Sequence, residues 1–186
     1  MEAPEYIEHT RNWLEQIVIG LDFCPFAVKP FRLGQIRIQV SSAISPEALS
    51  QDLIAEGRLL LSHPYREIET TLLVHPYVLT DFADFNDYLW GVEQLVRKEG
   101  WEGVLQVASF HPEYQFAGEA PNAVSNYTNR SPYPMLHLIR EDRLEEALEH
   151  YEAPEEIPER NIARLQAMGL PGILERLHQI KPKPKK

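Results

Sequence analysis

Three histidines stand at positions where an imidazole could do chemistry. His75 and His111 each follow an apolar run and each precede a proline, and His137 lies between Leu136 and Leu138 inside a third run. An imidazole serves as acid or base near neutral pH and as a ligand for transition metals. His75, His111 and His137 together are therefore a candidate metal set, with Glu113, Glu141 or Cys24 able to complete the shell around a divalent transition metal. No short spacing such as His-x-x-x-His supports that set, and hydrogen-bonded core or edge histidines are the competing reading. His111 has the strongest individual claim, because it opens the most unusual segment of the chain.

That segment, residues 111–134, separates two predicted strands by more than twenty residues without periodicity. A loop of that length in a small domain is either functional or disordered. Tyr114, Phe116, Tyr127 and Tyr133 argue against disorder, which requires few aromatics. Arg130 offers a planar fork for a carboxylate or phosphate, and so does Arg140 just beyond the loop. Asn126, Thr128, Asn129 and Ser131 surround Arg130 with donors, a composition suited to an anionic or strongly polar small ligand. The same residue types also satisfy a loop's own backbone, which is the alternative for each of them.

Cys24 is the single cysteine, in Phe23-Cys24-Pro25-Phe26. A nucleophilic thiolate needs a histidine, a cation or a helix start beside it. An apolar neighbourhood suits a buried thiol instead. A Cys24–His111 pair would satisfy the first condition. Several familiar devices are missing: there is no Gly-rich phosphate loop, no nucleophile elbow and no Cys-x-x-Cys pair.

The elements that must position these groups follow from periodicity. Residues 4–21 predict a helix with Trp13, Leu14, Ile17, Val18 and Leu21 on one face, and Pro25 predicts a non-helical link after it. Strands are predicted at 35–40, 70–74, 104–110 and 135–139. Ser45-Pro46 opens a helix to about Ser62, and Asp81 or Asp84 opens another that ends at Gly100. Glu141 and Asp142 start a helix to about Tyr151. An acidic linker spans 152–158, and short helices at 159–168 and 172–179 are divided at Gly169 and Pro171. Alternating strands and helices predict an α/β fold with a sheet of about four strands, parallel or mixed, with a ferredoxin-like arrangement as the alternative and extra C-terminal helices. If the first three strands run parallel, their carboxyl ends share one sheet edge, and His75 and His111 emerge there, where such sheets bind ligands.

Residues 1–180 read as one domain, and 181–186 read as a basic, solvated tail. A formal charge of −10 opposes general binding to phosphate backbones. No apolar run reaches the roughly 18 residues of a membrane span, and the N-terminus lacks the pattern of a signal peptide. One cysteine forms no internal disulfide, so cytosol is the expected compartment.

Four stretches carry a resemblance. They are Leu21-Asp22-Phe23-Cys24-Pro25-Phe26-Ala27; Phe110-His111-Pro112-Glu113-Tyr114-Gln115-Phe116; Asn126-Tyr127-Thr128-Asn129-Arg130-Ser131-Pro132-Tyr133-Pro134; and Leu136-His137-Leu138-Ile139-Arg140-Glu141. On these the chain resembles, over nearly its whole length, the bacterial family catalogued as domain of unknown function 1415. The resemblance implies a common fold and a common site and supplies no activity. From the residues alone, the leading expectation is an enzyme acting on an anionic or polar small molecule. His111 would be acid/base or metal ligand, Arg130 the anion holder, and Asn129 and Tyr114 the orienting groups. The alternatives are a partner-binding accessory protein using the acidic surface and the 152–180 helices, and metal handling without catalysis by the histidines and Cys24.

Overall fold

The computed structural model describes residues 1–182; most of the basic tail expected over 181–186 lies outside the described residues. Helix α1, Ala3–Trp13, continues directly into a π-helical segment, Leu14–Ile19. Together they form the single helix that the apolar periodicity predicts. Its buried face carries Trp13, Leu14, Ile17 and Val18. The helix ends before Pro25, as expected, and a further helical element then begins. Pro25 starts a 3-10 turn, Pro25–Ala27, that leads into a short helix α2, Val28–Arg32. Proline is disfavoured deep in a helix but suits a first turn, so Pro25 begins an element here.

Strand β1 is Ile36–Val40, β2 Thr70–Val74, β3 Leu105–Phe110 and β4 Met135–Arg140. The sheet order is β1-β2-β4-β3, with β1 and β2 parallel and β4 antiparallel to both its neighbours. The first three strands therefore all run one way, and the last inserts between the second and third in reverse. This is the mixed α/β sheet, and the strand order sets aside the ferredoxin-like alternative.

Helices α3, Pro46–Ser62, and α4, Phe82–Lys98, begin at the predicted caps. The Ser45 hydroxyl accepts from the Ala48 N–H, and the Asp81 carboxylate accepts from the N–H groups of Ala83 and Asp84. Leu49, Leu53, Leu60, Phe85 and Val92 from these helices pack with Leu73, Leu105, Leu136 and Leu138 on one face of the sheet. On the other face, Leu72, Val74 and Met135 pack with the N-terminal helical segment and with Leu165 and Ile173. Those last two belong to α6, Ile157–Gln179, which is broken at Gly169 (φ 69°, ψ 167°) just before Pro171, at the expected division into two helices. Helix α5, Glu141–Glu149, follows β4 without a loop. Strand alternation thus assigns residues to layers: Thr70, Leu72, Val74, Ala108, Phe110, Met135, His137 and Ile139 face the N- and C-terminal helices.

Candidate functional site

The carboxyl ends of β2 and β3 do lie on one sheet edge, and they bring His75 and His111 to either side of Phe85. The ring centroids stand 5.5 and 5.2 Å from that of Phe85. Both side chains are fully buried. The His75 Nδ1–H donates to the Val78 carbonyl. The His111 Nδ1 accepts from the Glu113 N–H, so its Nε2 carries the proton and donates to the Leu79 carbonyl at 3.3 Å. Leu79 holds a left-handed φ of 55°, unusual for a bulky residue, so the two imidazoles act as struts under a strained turn. Burial lowers the pKa of His75 to about 4 and also lowers that of His111. Both nitrogens of His111 are occupied by backbone.

The polar residues of the 111–134 segment are likewise bound to that segment. Arg130 donates from Nε to the Tyr114 carbonyl and from Nη2 to the Pro121 carbonyl, and its guanidinium carbon lies 4.6 Å from the centre of the Tyr127 ring. The buried Asn126 accepts from the Phe116 N–H and donates to the Ala120 carbonyl. Asn129 donates to the Ser109 carbonyl, and the Ser131 hydroxyl donates to the Tyr133 carbonyl. The Tyr114 ring packs on Phe82 and Phe116. A single 3-10 helix, Val124–Thr128, is the only regular piece of the segment among the described residues. The loop is a self-satisfied structure, as its Asn, Ser and Thr content also allows. Arg140 points its Nη2 at the carbonyls of Leu60 and His63, capping the carboxyl end of α3, where a cation is favoured by the helix dipole.

The three-histidine metal set is not assembled. β4 does lie beside β3, but strand alternation turns His137 to the opposite face of the sheet from His75 and His111. Among the described residues no group of three or more His, Cys, Asp and Glu side chains could hold a metal ion. The Cys24–His111 pair fails for the same reason, since Cys24 packs with the layer on the far face.

What the fold does bring together is Cys24 and His137. Both line a cavity of about 230 Å³ between the sheet, the N-terminal helical segment, the 24–30 link and α5. Its walls are almost wholly apolar, from residues such as Trp13, Val18, Phe26, Leu72, Phe110 and Ile139. The polar lining consists of Cys24, Thr70 and His137, with a charged rim of Glu69, Arg140 and Arg143. The Thr70 hydroxyl lies 2.6 Å from both the Leu138 carbonyl and His137 Nε2. A carbonyl only accepts, so the hydroxyl proton goes to Leu138 and His137 donates Nε2–H to Thr70. Nδ1 is then a lone-pair acceptor with no partner among the described residues. Burial holds the pKa of His137 down to about 4, so the ring is neutral at physiological pH. Burial also pushes the Cys24 thiol up, although the N–H groups of Ala27 and Phe26 partly offset this. Thr70, Glu69 and Arg143 carry no motif in the sequence. The one available signal for Thr70 was its place in β2, two residues before Leu72 on the same face as Val74.

A family model described as Protein of unknown function (DUF1415) matches residues 5–174. The chain belongs to that family. The match takes in the whole cavity lining, from Trp13 to Ala147. No curated protein and no solved structure matches the chain. Among the described residues no helix is long and apolar enough to cross a membrane.

Proposed function

We propose that this family member binds a small, largely apolar molecule in the cavity beneath β2, β4 and β3, and that a hydroxyl or amine of that molecule donates to His137 Nδ1. The supporting observation is the neutral imidazole, fixed by Thr70 in one tautomer, with its free nitrogen in an otherwise apolar enclosure. An engineered apolar cavity of about 150 Å³ is enough to take benzene, so 230 Å³ admits a substituted ring or a short chain. Apolar walls with a few placed polar groups are the usual composition of a small-molecule site.

A second reading, chemistry on the bound molecule, draws on Cys24 and His137 lining the same cavity. In it His137 Nδ1 is the proton acceptor and Cys24 the nucleophile. The polar or anionic substrate expected from the 111–134 segment shifts in this reading to an amphiphilic one, because the loop's donors are engaged by its own backbone.

Ala108 lines the cavity and is paired with His137 in the β3–β4 register. Ala108→Phe should therefore fill the space without touching the rim. A fragment screen read by thermal shift is expected to raise the Tm of the wild type with apolar donors such as phenols, since a ligand bound only to the folded state stabilises it by mass action. The response should vanish in Ala108→Phe and weaken in His137→Leu. Equal shifts in all three proteins would remove the cavity from consideration.

A further inference from the structure

Arg143 is N-terminal in α5 and contributes to the cavity rim. Its guanidinium carbon lies 4.1 Å from the centre of the Tyr65 ring, and Nη1 pairs with Glu146 one turn along the helix. The side chain is 17% exposed. The Nε–H is shielded from water and has no acceptor, and Nη2 makes no hydrogen bond to any described residue. Nη2 is thus the nitrogen of the head group left free to meet a ligand, while the Nε–H is closed off even from water. The Tyr65 stack holds the head group in place at the rim.

The other charges around the rim bear on what could meet Nη2. Arg140 has spent its Nη2 donors on the end of α3. Lys29 is exposed nearby and acts on Glu69 together with Arg143 and Arg140. Glu69 is half-buried and lines the cavity, and its side chain makes no hydrogen bond to the described residues. Desolvation raises its pKa, which Arg143, Lys29 and Arg140 offset only in part. Arg143 Nη2 is therefore not engaged by Glu69, although that carboxylate is close enough to influence an incoming anion.

We propose that the cavity's ligand is an apolar carboxylate, with its hydrocarbon part against Leu72 and Phe110, its carboxylate on Nη2 of Arg143 and a hydroxyl or amine at its far end toward His137. This deepens the binding reading above and rests on it. Glu69 then sits beside the bound carboxylate as a like charge and limits affinity, so the rim discriminates a singly charged head from a neutral one without binding either tightly.

The test uses para-hydroxyphenylacetate and its neutral amide, titrated into the whole chain and followed by nitrogen-edited NMR on the amides of Leu72, Phe110 and His137. The carboxylate is expected to bind more tightly than the amide, and Arg143→Gln should weaken it roughly five- to tenfold while leaving the amide unchanged, the size of one partly exposed charge-assisted pair. Glu69→Gln should strengthen carboxylate binding and not amide binding. Unfolding midpoints of both variants serve as the check on folding. Equal affinity for acid and amide, or indifference to Arg143→Gln, overturns the carboxylate assignment and leaves the cavity reading standing. Absence of shifts at the cavity with both probes overturns the two together.

Discussion

At the scale of single residues, the same side chain type plays opposite parts on the two faces of the sheet. His111 has both nitrogens tied to backbone and props a strained turn, whereas His137 keeps one nitrogen free in a cavity. Only the second arrangement leaves a group able to meet a ligand. Cys24 lines that same cavity, but its thiol is held protonated by burial. Alkylation of Cys24 by iodoacetamide is accordingly expected to be slower than for a free thiol at neutral pH. Its rate should keep rising above the ordinary thiol pKa of 9.0, because only the thiolate reacts. A rate that levels off below pH 8 in mass-spectrometric time courses would mean that His137 or a backbone donor lowers the pKa after all, and would favour the catalytic reading.

At the scale of elements, α3 shows how tightly the opposite layer is built. Gly57 lies where a Cβ would overlap the six-membered ring of the buried Trp101. Helix propensity favours Gly57→Ala by about 1 kcal/mol, but forcing a methyl into a packed ring costs about 1–3 kcal/mol, so net destabilisation is expected. Gly91 in α4 supplies the control, since nothing lies within 4 Å of a Cβ there. Gly91→Ala should stabilise by about 0.5–1 kcal/mol. Urea midpoints moving in the same direction for both variants would contradict the packing of α3 against Trp101. Arg140 belongs to this scale too: a residue with the right chemistry for an anion instead closes the carboxyl end of a helix.

At the scale of the whole molecule, the buried histidines make stability depend on pH. His75 and His137 have folded pKa values of about 4 against 6.5 for the free side chain. Between those values the unfolded chain binds protons that the folded chain refuses. Stability contributed by the neutral rings is full above pH 6.5 and is lost progressively as pH falls to about 4. At about 1.4 kcal/mol per unit, each ring accounts for roughly 3 kcal/mol over that window. His9, bonded to the Tyr133 hydroxyl and partly exposed, adds less in the same direction. Urea midpoints should fall steeply from pH 7 to pH 4.5, and His137→Leu should reduce the slope. A flat profile through that window would mean that the rings are solvated in the folded state.

The local elements were legible in the sequence because their determinants are local. Ser45-Pro46, Asp81 and Gly169-Pro171 set helix boundaries through caps, fixed φ and left-handed turns, and alternation in 35–40 and the continuous β-branched and apolar run at 70–74 marked strands. The same local chemistry identified the 111–134 segment as ordered but could not say what its donors bind, since an Asn or Arg satisfies a loop carbonyl as readily as a ligand. The turn and short helix that begin at Pro25 were not legible, because proline both ends and begins helical turns and the contacts that select between these are distant. The cavity was invisible for a deeper reason. Trp13, Cys24, Thr70, His137 and Arg143 come from five separate parts of the chain, and only the insertion of β4 between β2 and β3, with its one-residue choice of face, brings them to a common space. The sequence by itself determined the elements and the family; which histidine faces a cavity was decided by strand order and register, which depend on packing across the whole sheet.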